Sequence, residues 1–205
     1  MDVLLISQIF VGLLLWFSFS FTLWKVGKTE HEHDDLIAAS LFIGVALVIS
    51  AIIGNGIGSL GLVLLVSGLF GPVLVSRIYK ISMWDVGDLW GVWLLLGGIV
   101  NSIFIMEWFL VIGYLLSLII VLLFKAYYRR FSWYKTGKSG LAFETFIFLV
   151  SLVEVGFAFY VVNGLYFVGI VGIILSIILY IIRVNDSKYL QWTKIQKRKM
   201  AIREK

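Results

Sequence analysis

The chain has 205 residues, of which 61% are apolar and 14% charged, and its formal net charge is +5. Soluble domains contain about 45–50% apolar and about 25% charged residues, so a single water-soluble core is excluded and lipid is the expected solvent. The sequence contains no cysteine, which excludes disulfides and thiolate metal sites. We therefore predict an all-α integral membrane protein.

The Lys and Arg residues are confined to four short segments of the chain. These segments are 25–28, 77–80, 125–138 and 183–205. About 45 residues separate neighbouring segments, which is enough for two membrane crossings of about 20 residues each. Because Lys and Arg are retained on the cytoplasmic side during insertion, the pattern predicts an N-terminus outside and a C-terminus in the cytoplasm. We accordingly expect a multi-pass protein of the cytoplasmic (inner) membrane.

Seven apolar stretches, taken in chain order, predict seven transmembrane helices. They cover residues 3–24, 36–54, 57–76, 89–105, 108–126, 141–161 and 164–183. The first stretch lacks a basic start and is longer than the apolar core of a signal peptide, about 7–15 residues, so we expect a retained helix. Residues 1–185 form the predicted seven-helix transmembrane domain, and residues 186–205 form a basic cytoplasmic tail.

The tail 186–205 carries most of the net positive charge. Charge in this position favours the anionic headgroups of the inner leaflet as a partner, rather than nucleic acid. Two structures of the tail fit the pattern equally: a basic amphipathic helix lying on the leaflet, and a solvated segment.

Two histidines, His31 and His33, lie among four carboxylates in the first basic loop, TEHEHDD. Alternating histidines and acids can bind a metal weakly. Asp34 or Asp35 can equally accept hydrogen bonds from the free backbone N–H groups at the start of the second helix. Because no fixed ligand spacing is present, we predict neither a metal site nor a cofactor.

Glycines recur in the predicted helices, and Gly71–Pro72 lies inside the third. Small residues three or four positions apart let helix backbones approach closely in lipid, so we interpret the glycines as packing residues. A glycine-lined cavity is the alternative. The proline should bend the third helix, since it removes one backbone donor and crowds the preceding turn.

Glu154 is the acid placed deepest in the predicted membrane region, on the sixth helix and about 13 residues past the basic loop that ends at residue 140. A carboxylate at such depth costs about 2.5 kcal/mol or more and usually faces a bundle interior or a cavity. We interpret it either as a proton acceptor or ligand for a polar group, or as a protonated acid bonded to Asn101 or a backbone carbonyl. Glu144 is expected at the interface, within reach of Lys138 or the headgroups. Its spacing from Ser151 and Glu154 puts the three on one helix face.

No phosphate-binding glycine loop, zincin helix or nucleophile elbow is present in the sequence. Four stretches of the chain nevertheless carry a recognisable pattern: WKVGKTEHEHDDLIAASLFIGVALVISAIIG, SGLFGPVLVSRIYKISMWDVGDLW, LLLGGIVNSIFIMEW and KTGKSGLAFETFIFLVSLVE. In this order they resemble the prolipoprotein diacylglyceryl transferase family of lipoprotein biosynthesis. These seven-helix enzymes move a diacylglyceryl group from phosphatidylglycerol to a lipoprotein cysteine. The third stretch is similar to the family signature, with Asn101 at its Asn position.

The chain departs from the family pattern where the chemistry is expected. The signature Arg is replaced by Gly98, and the Arg of the penultimate helix falls on Glu154. The family's Tyr-Glu pair corresponds to Tyr114–Leu115, and its signature acid is displaced by one residue to Glu107. Moving a diacylglyceryl group requires a cation to hold the phosphate and a group to activate the thiol, and neither is evident. The resemblance therefore implies a divergent member, a pseudoenzyme.

We hypothesise a lipid-binding membrane protein with lost or altered catalysis, whose candidate lipid- or substrate-binding residues are Asn101, Glu107, Tyr114 and Glu154. Asn101 would hydrogen-bond a phospholipid headgroup or a glycerol ester, and Glu154 would act as a base or bind a cationic group. The reversed charge at Glu154 points to a neutral or cationic ligand. The alternative is a non-catalytic membrane scaffold or partner-binding subunit with a filled interior. A small-solute transporter fits less well, since no inverted repeat or broken-helix pair is visible.

Overall fold

The computed structural model describes residues 3–27, 33–57, 59–79, 81–127, 140–161 and 166–183. These residues form seven α-helices. The helices are α1 Val3–Gly27, α2 His33–Ile57, α3 Leu60–Tyr79, α4 Met83–Phe104, α5 Trp108–Tyr127, α6 Leu141–Val161 and α7 Tyr166–Arg183. Each predicted apolar stretch corresponds to one of them, and the bounds of the predicted sixth helix match α6. The predicted tail 186–205 lies outside the described residues.

The largest departure from prediction is at the start of α4. The predicted fourth helix begins at residue 89, which leaves the polar stretch around Trp84 to Asp88 in a predicted loop, but α4 begins at Met83, only four residues after α3 ends at Tyr79. The acidic Asp85 lies in the first turn of α4. Negative side chains are favoured there by the partial positive charge of the helix N-terminus. Low hydropathy therefore marks the first turns of α4 and not a loop.

Five helices, α3 to α7, are long and apolar enough to cross a membrane. Many large apolar side chains on them face outward, including Phe70 at 60% and Phe159 at 70% exposure. A surface this apolar is expected where lipid replaces water as the solvent. Several apolar helices with lipid-compatible faces indicate a multi-pass membrane protein.

Neighbouring helices in the chain pack side by side from α1 to α6. The most central helices are α4, which contacts α1, α3, α5 and α6, and α6, which also contacts α3 and α5. Gly169 of α7 lies against the backbone of Ser151 in α6, so α7 packs on α6 as well. We call the end where α2 meets α3 and α4 meets α5 the short-turn end. The opposite end, where residues 128–140 join α5 to α6, is the long-loop end.

The interior is filled by aromatic rings seated on glycines. A β-carbon at Gly68 of α3 would lie 2.7 Å from the ring of Phe146, and one at Gly91 of α4 would lie 2.9 Å from the same ring. The fully buried Trp90 packs edge-on to Phe19 at 4.7 Å, and its indole N–H donates to the backbone oxygen of Ser67 at 3.2 Å. The prediction that the glycines serve packing is confirmed at these positions.

Candidate functional site

Three hydrogen-bond donors surround the carboxylate of Glu154, which is 5% exposed in α6. The Tyr114 hydroxyl of α5 donates to Oε1 at 2.8 Å, and the Ser59 hydroxyl donates to Oε2 at 3.2 Å. The backbone N–H of Gly61 in α3 faces the same carboxylate. At 1.5 Å of rise per residue, Glu154 lies about 10 Å from the end of α6 at Val161 and about 20 Å from its start. The cluster is therefore inside the bundle, nearer the short-turn end.

Glu154 caps the N-terminus of α3 from a neighbouring helix. Ser59 is the N-cap residue of α3, since its Oγ accepts from the N–H of Leu62 at 3.2 Å and its backbone oxygen accepts from Val63 at 3.4 Å. The first N–H groups of a helix lack intrahelical partners and attract negative charge. A β-carbon at Gly61 would overlap the Glu154 carboxylate, so the close approach requires glycine there. The sequence therefore provides both a donor set and room for the acid.

Tyr114 fills the space beside Gly98. Its side chain is fully buried, and a β-carbon at Gly98 would lie 3.2 Å from the Tyr114 ring and 3.0 Å from Leu64. An arginine, the residue expected here from the transferase signature, has no room at this position. Tyr114 is followed in sequence by the exposed Leu115 instead of a glutamate, but through space it pairs with Glu154. A tyrosine–glutamate pair is thus present, contributed by two helices.

The structure brings together two of the four predicted site residues. Asn101 is partly exposed near the end of α4, and Glu107 is partly exposed in the turn before α5. The hydrogen bonds to Glu154 among the described residues come from the donors named above and not from Asn101. Sequence reasoning missed Ser59, although a serine just before an apolar helix is an N-cap signal. Asn101 and Glu107 remain predictions.

Asp88 makes a second cap across the bundle, at the long-loop end. Its side chain on α4 is 9% exposed, and its two oxygens accept from the N–H of Gly140 at 2.8 Å and of Phe143 at 2.7 Å. Gly140 has a φ of +114°, a conformation that favours glycine. The Lys125 ammonium lies 3.5 Å from the backbone oxygen of Asp88. Asp88 thus fixes the start of α6, and the predicted loop would have left it in water.

Glu144 differs from the other two buried acids. It lies in the first turn of α6 with its side chain 4% exposed, and neither carboxylate oxygen has a hydrogen-bond partner among the described residues. Its predicted place at the membrane interface stays a prediction, and Lys138 lies outside the described residues. Ser151 is also buried, so the predicted shared face of Glu144, Ser151 and Glu154 is confirmed. That face points into the bundle.

The described part of the chain contains no candidate metal site, because no group of three or more His, Asp or Glu side chains comes together there. His31 lies outside that part, and His33 begins α2. Asp34 and Asp35 lie in the first turn of α2, where acids are favoured.

No protein-family model, curated protein or solved structure matches this chain. The resemblance to the diacylglyceryl transferase family therefore stays a prediction carried by sequence stretches alone.

Proposed function

We propose that the chain is a seven-span protein of the cytoplasmic membrane, with its N-terminus outside, that binds a membrane lipid without transferring its diacylglyceryl group. The observation that carries the proposal is the Glu154 carboxylate, which accepts from two hydroxyl groups inside the bundle. A site built of hydroxyl donors around a carboxylate suits a ligand that brings a hydroxyl or an ammonium group. Diacylglycerol and phosphatidylethanolamine carry such groups.

The chemistry of the carboxylate supports this ligand class. The two carboxylate oxygens of Glu154 offer about four lone-pair sites, so the three donors present leave one lone pair to accept a further hydrogen bond. The Ser59 bond, at 3.2 Å, is longer than the Tyr114 bond at 2.8 Å. A lipid hydroxyl replacing Ser59 would therefore displace the weaker of the two side-chain donors. A lipid that approached Glu154 with its phosphate would be repelled, because like charges interact strongly where water is excluded, so phosphatidylethanolamine would have to bind through its ammonium group.

The distribution of cations argues against transfer of a diacylglyceryl group from phosphatidylglycerol. The Lys and Arg side chains of the described residues are Lys25, Arg77, Lys125 and Arg183. All four lie near the ends of α1, α3, α5 and α7, which is the long-loop end. The Glu154 cluster lies about 20 Å from the start of α6 at that end. Among the described residues, no cation is in place to hold a phosphate beside Tyr114 and Glu154.

Lipid retention in bilayer discs tests the proposal. Discs containing labelled diacylglycerol, phosphatidylethanolamine or phosphatidylglycerol are incubated with purified protein, which is then re-isolated and weighed by native mass spectrometry. We expect retention of one of the first two lipids and its loss in Glu154→Gln. Asp85→Asn, an exposed acid on α4, is the matched control and should retain the lipid. Selective retention of phosphatidylglycerol that Glu154→Gln leaves unchanged would overturn the proposal.

Growth complementation tests the absence of transfer chemistry separately. We expect that the chain does not restore growth to a strain lacking the diacylglyceryl transferase, while its membrane level matches that of a complementing enzyme. Restored growth would refute a non-catalytic role.

A second candidate, a non-catalytic scaffold or partner-binding subunit, is favoured by the close packing around Glu154. Gly61 backbone lies against the carboxylate, and the Tyr114 ring lies against Gly98, so protein atoms fill the space on these sides. In that case no lipid class is retained more than the others, and Glu154→Gln lowers the thermal stability of the protein without changing lipid retention. The retention experiment, run beside a thermal unfolding measurement, separates the two functions.

A further inference from the structure

Glu144 is a buried acid for which the described residues provide no hydrogen-bond donor. Both oxygens are closed off from solvent and neither accepts a hydrogen bond from the described residues. A site with no open surface at either oxygen has no room for a water molecule or a metal ion, each of which needs its own volume. An ionised carboxylate buried without partners is so costly that the group neutralises instead. A proton is the ligand that needs no additional space.

Charged groups face Glu144 from two of the packed helices. On α7, the positive charge of Arg183 acts on it, and on α4 the negative charge of Asp88 opposes its ionisation. Beyond these, Lys125 of α5 and Asp85 of α4 act on Asp88, and Arg77 near the end of α3 is exposed. Among the described residues, Arg183 is therefore the cation whose charge favours an ionised Glu144.

Arg183 is engaged elsewhere in this arrangement. It is the last residue of α7, its side chain is 6% exposed, and its guanidinium carbon lies 5.0 Å from the centroid of the Trp84 ring. A cation over an indole face is attracted by the ring, more strongly where water is excluded. Its guanidinium does not hydrogen-bond the Glu144 carboxylate. The guanidinium and the protonated Glu144 carboxyl group are thus both buried with no hydrogen bond between them.

We propose that Glu144 is a proton-binding site, and that release of its proton draws Arg183 from the Trp84 ring onto the ionised carboxylate. The proton passes to water at the long-loop end, and the guanidinium keeps its charge throughout. Because Arg183 ends α7 and Glu144 lies in the first turn of α6, the bound proton sets how the end of α7 seats against α4 and α6. The site is separate from lipid binding, since Glu154 lies ten residues further along α6, about 15 Å away.

Infrared difference spectroscopy tests the proton directly. The protein, labelled with carbon-13 glutamate, is placed in lipid discs and titrated, and the carbonyl stretch of protonated carboxyl groups is followed. We expect a band at the high-frequency end, typical of a carbonyl without a hydrogen bond, that disappears in Glu144→Gln. Asp85→Asn should keep it. A parent protein without this band at any pH in the titration would overturn the proposal.

Trp84 fluorescence tests the coupling to Arg183. The contribution of Trp84 to the emission is the part that is missing in Trp84→Phe. We expect this contribution to change with pH at the same midpoint as the infrared band, and to be constant with pH in Glu144→Gln. In Arg183→Gln, which leaves Glu144 in place, the infrared band should persist to a pH about one to three units higher than in the parent protein. The reason is that an opposite charge nearby favours the ionised form, and this variant lacks that charge. An unchanged midpoint in Arg183→Gln, or fluorescence independent of the band, would refute the exchange of partners.

Discussion

Asp88→Ala is expected to release the start of α6 from α4. The change removes both acceptors of the Gly140 and Phe143 N–H groups, at 2.8 and 2.7 Å, and leaves the two donors buried. Hydrogen bonds to a charged group contribute about 1.5–3 kcal/mol each, whereas replacing an N-cap residue by alanine costs about 0.5–2 kcal/mol. The mutant also avoids the free-energy cost of burying a carboxylate. The summed contribution of the two hydrogen bonds is therefore an upper bound on the loss of stability. We expect a loss of about 2–4 kcal/mol in the stability of this segment.

Amide hydrogen exchange followed by mass spectrometry measures that loss at the site itself. A change of about 2–4 kcal/mol corresponds to roughly 30- to 700-fold faster exchange of the Gly140 and Phe143 amides. Asp88→Asn keeps one acceptor oxygen and should fall between parent and Asp88→Ala. Asp85→Ala removes an exposed acid one turn earlier and should leave these amides protected. If Asp88→Ala and Asp85→Ala exchange at the same rate there, the cap does not stabilise α6 and the reasoning is wrong.

Three further predictions concern the packing around α6. A methyl group at Gly61 would overlap the Glu154 carboxylate, so Gly61→Ala should lower the thermal unfolding midpoint. Gly12→Ala is the control, since its methyl group would have its nearest contact at 4.0 Å, and it should leave the midpoint unchanged or raised. Equal losses in both variants would contradict this. Tyr114→Phe removes a donor to a buried carboxylate and should lower the free energy of unfolding by about 1.5–3 kcal/mol in a detergent titration, and no loss would count against the bond. Gly172→Ala would collide with the α6 serine beneath it, so a spin-label distance between α6 and α7 should increase; an unaltered distance would show that α7 is held elsewhere.

The helices could be predicted because each is a continuous apolar run bounded by polar residues. The start of α4 could not be predicted in this way. Its first turns contain Asp85 and Asp88, which lower the hydropathy of a stretch that is nonetheless helical. One acid is placed by the helix N-terminus and the other by its bonds to Gly140 and Phe143. The hydropathy of a stretch reflects the free-energy cost of placing its polar side chains in an apolar environment. It does not show which groups elsewhere in the chain will form hydrogen bonds with those side chains.

The candidate site was predictable as single residues and not as a cluster. Depth along a helix singles out Glu154, but its partner Ser59 is 95 positions away in sequence. Periodicity within one helix gives the face on which a residue lies, and the rotation of one helix against another is decided by packing. The same limit applies to Glu144: its position near a helix end predicted a place at the interface but not that its side chain would be buried.

Asp88 and Glu154 perform one structural task at opposite ends of the bundle, with α6 as the link. The start of α6 is held by Asp88 of α4, and α6 in turn holds the start of α3 through Glu154. In a membrane, buried N–H groups at a helix start have no water to bond, and each unsatisfied group costs several kcal/mol. An acid on a neighbouring helix meets that need, so depth in the membrane is by itself weak reason to assign chemistry to a carboxylate. Glu144 has no such task among the described residues, and for that reason it, rather than the deeper Glu154, is the acid whose protonation should change how the end of α7 packs.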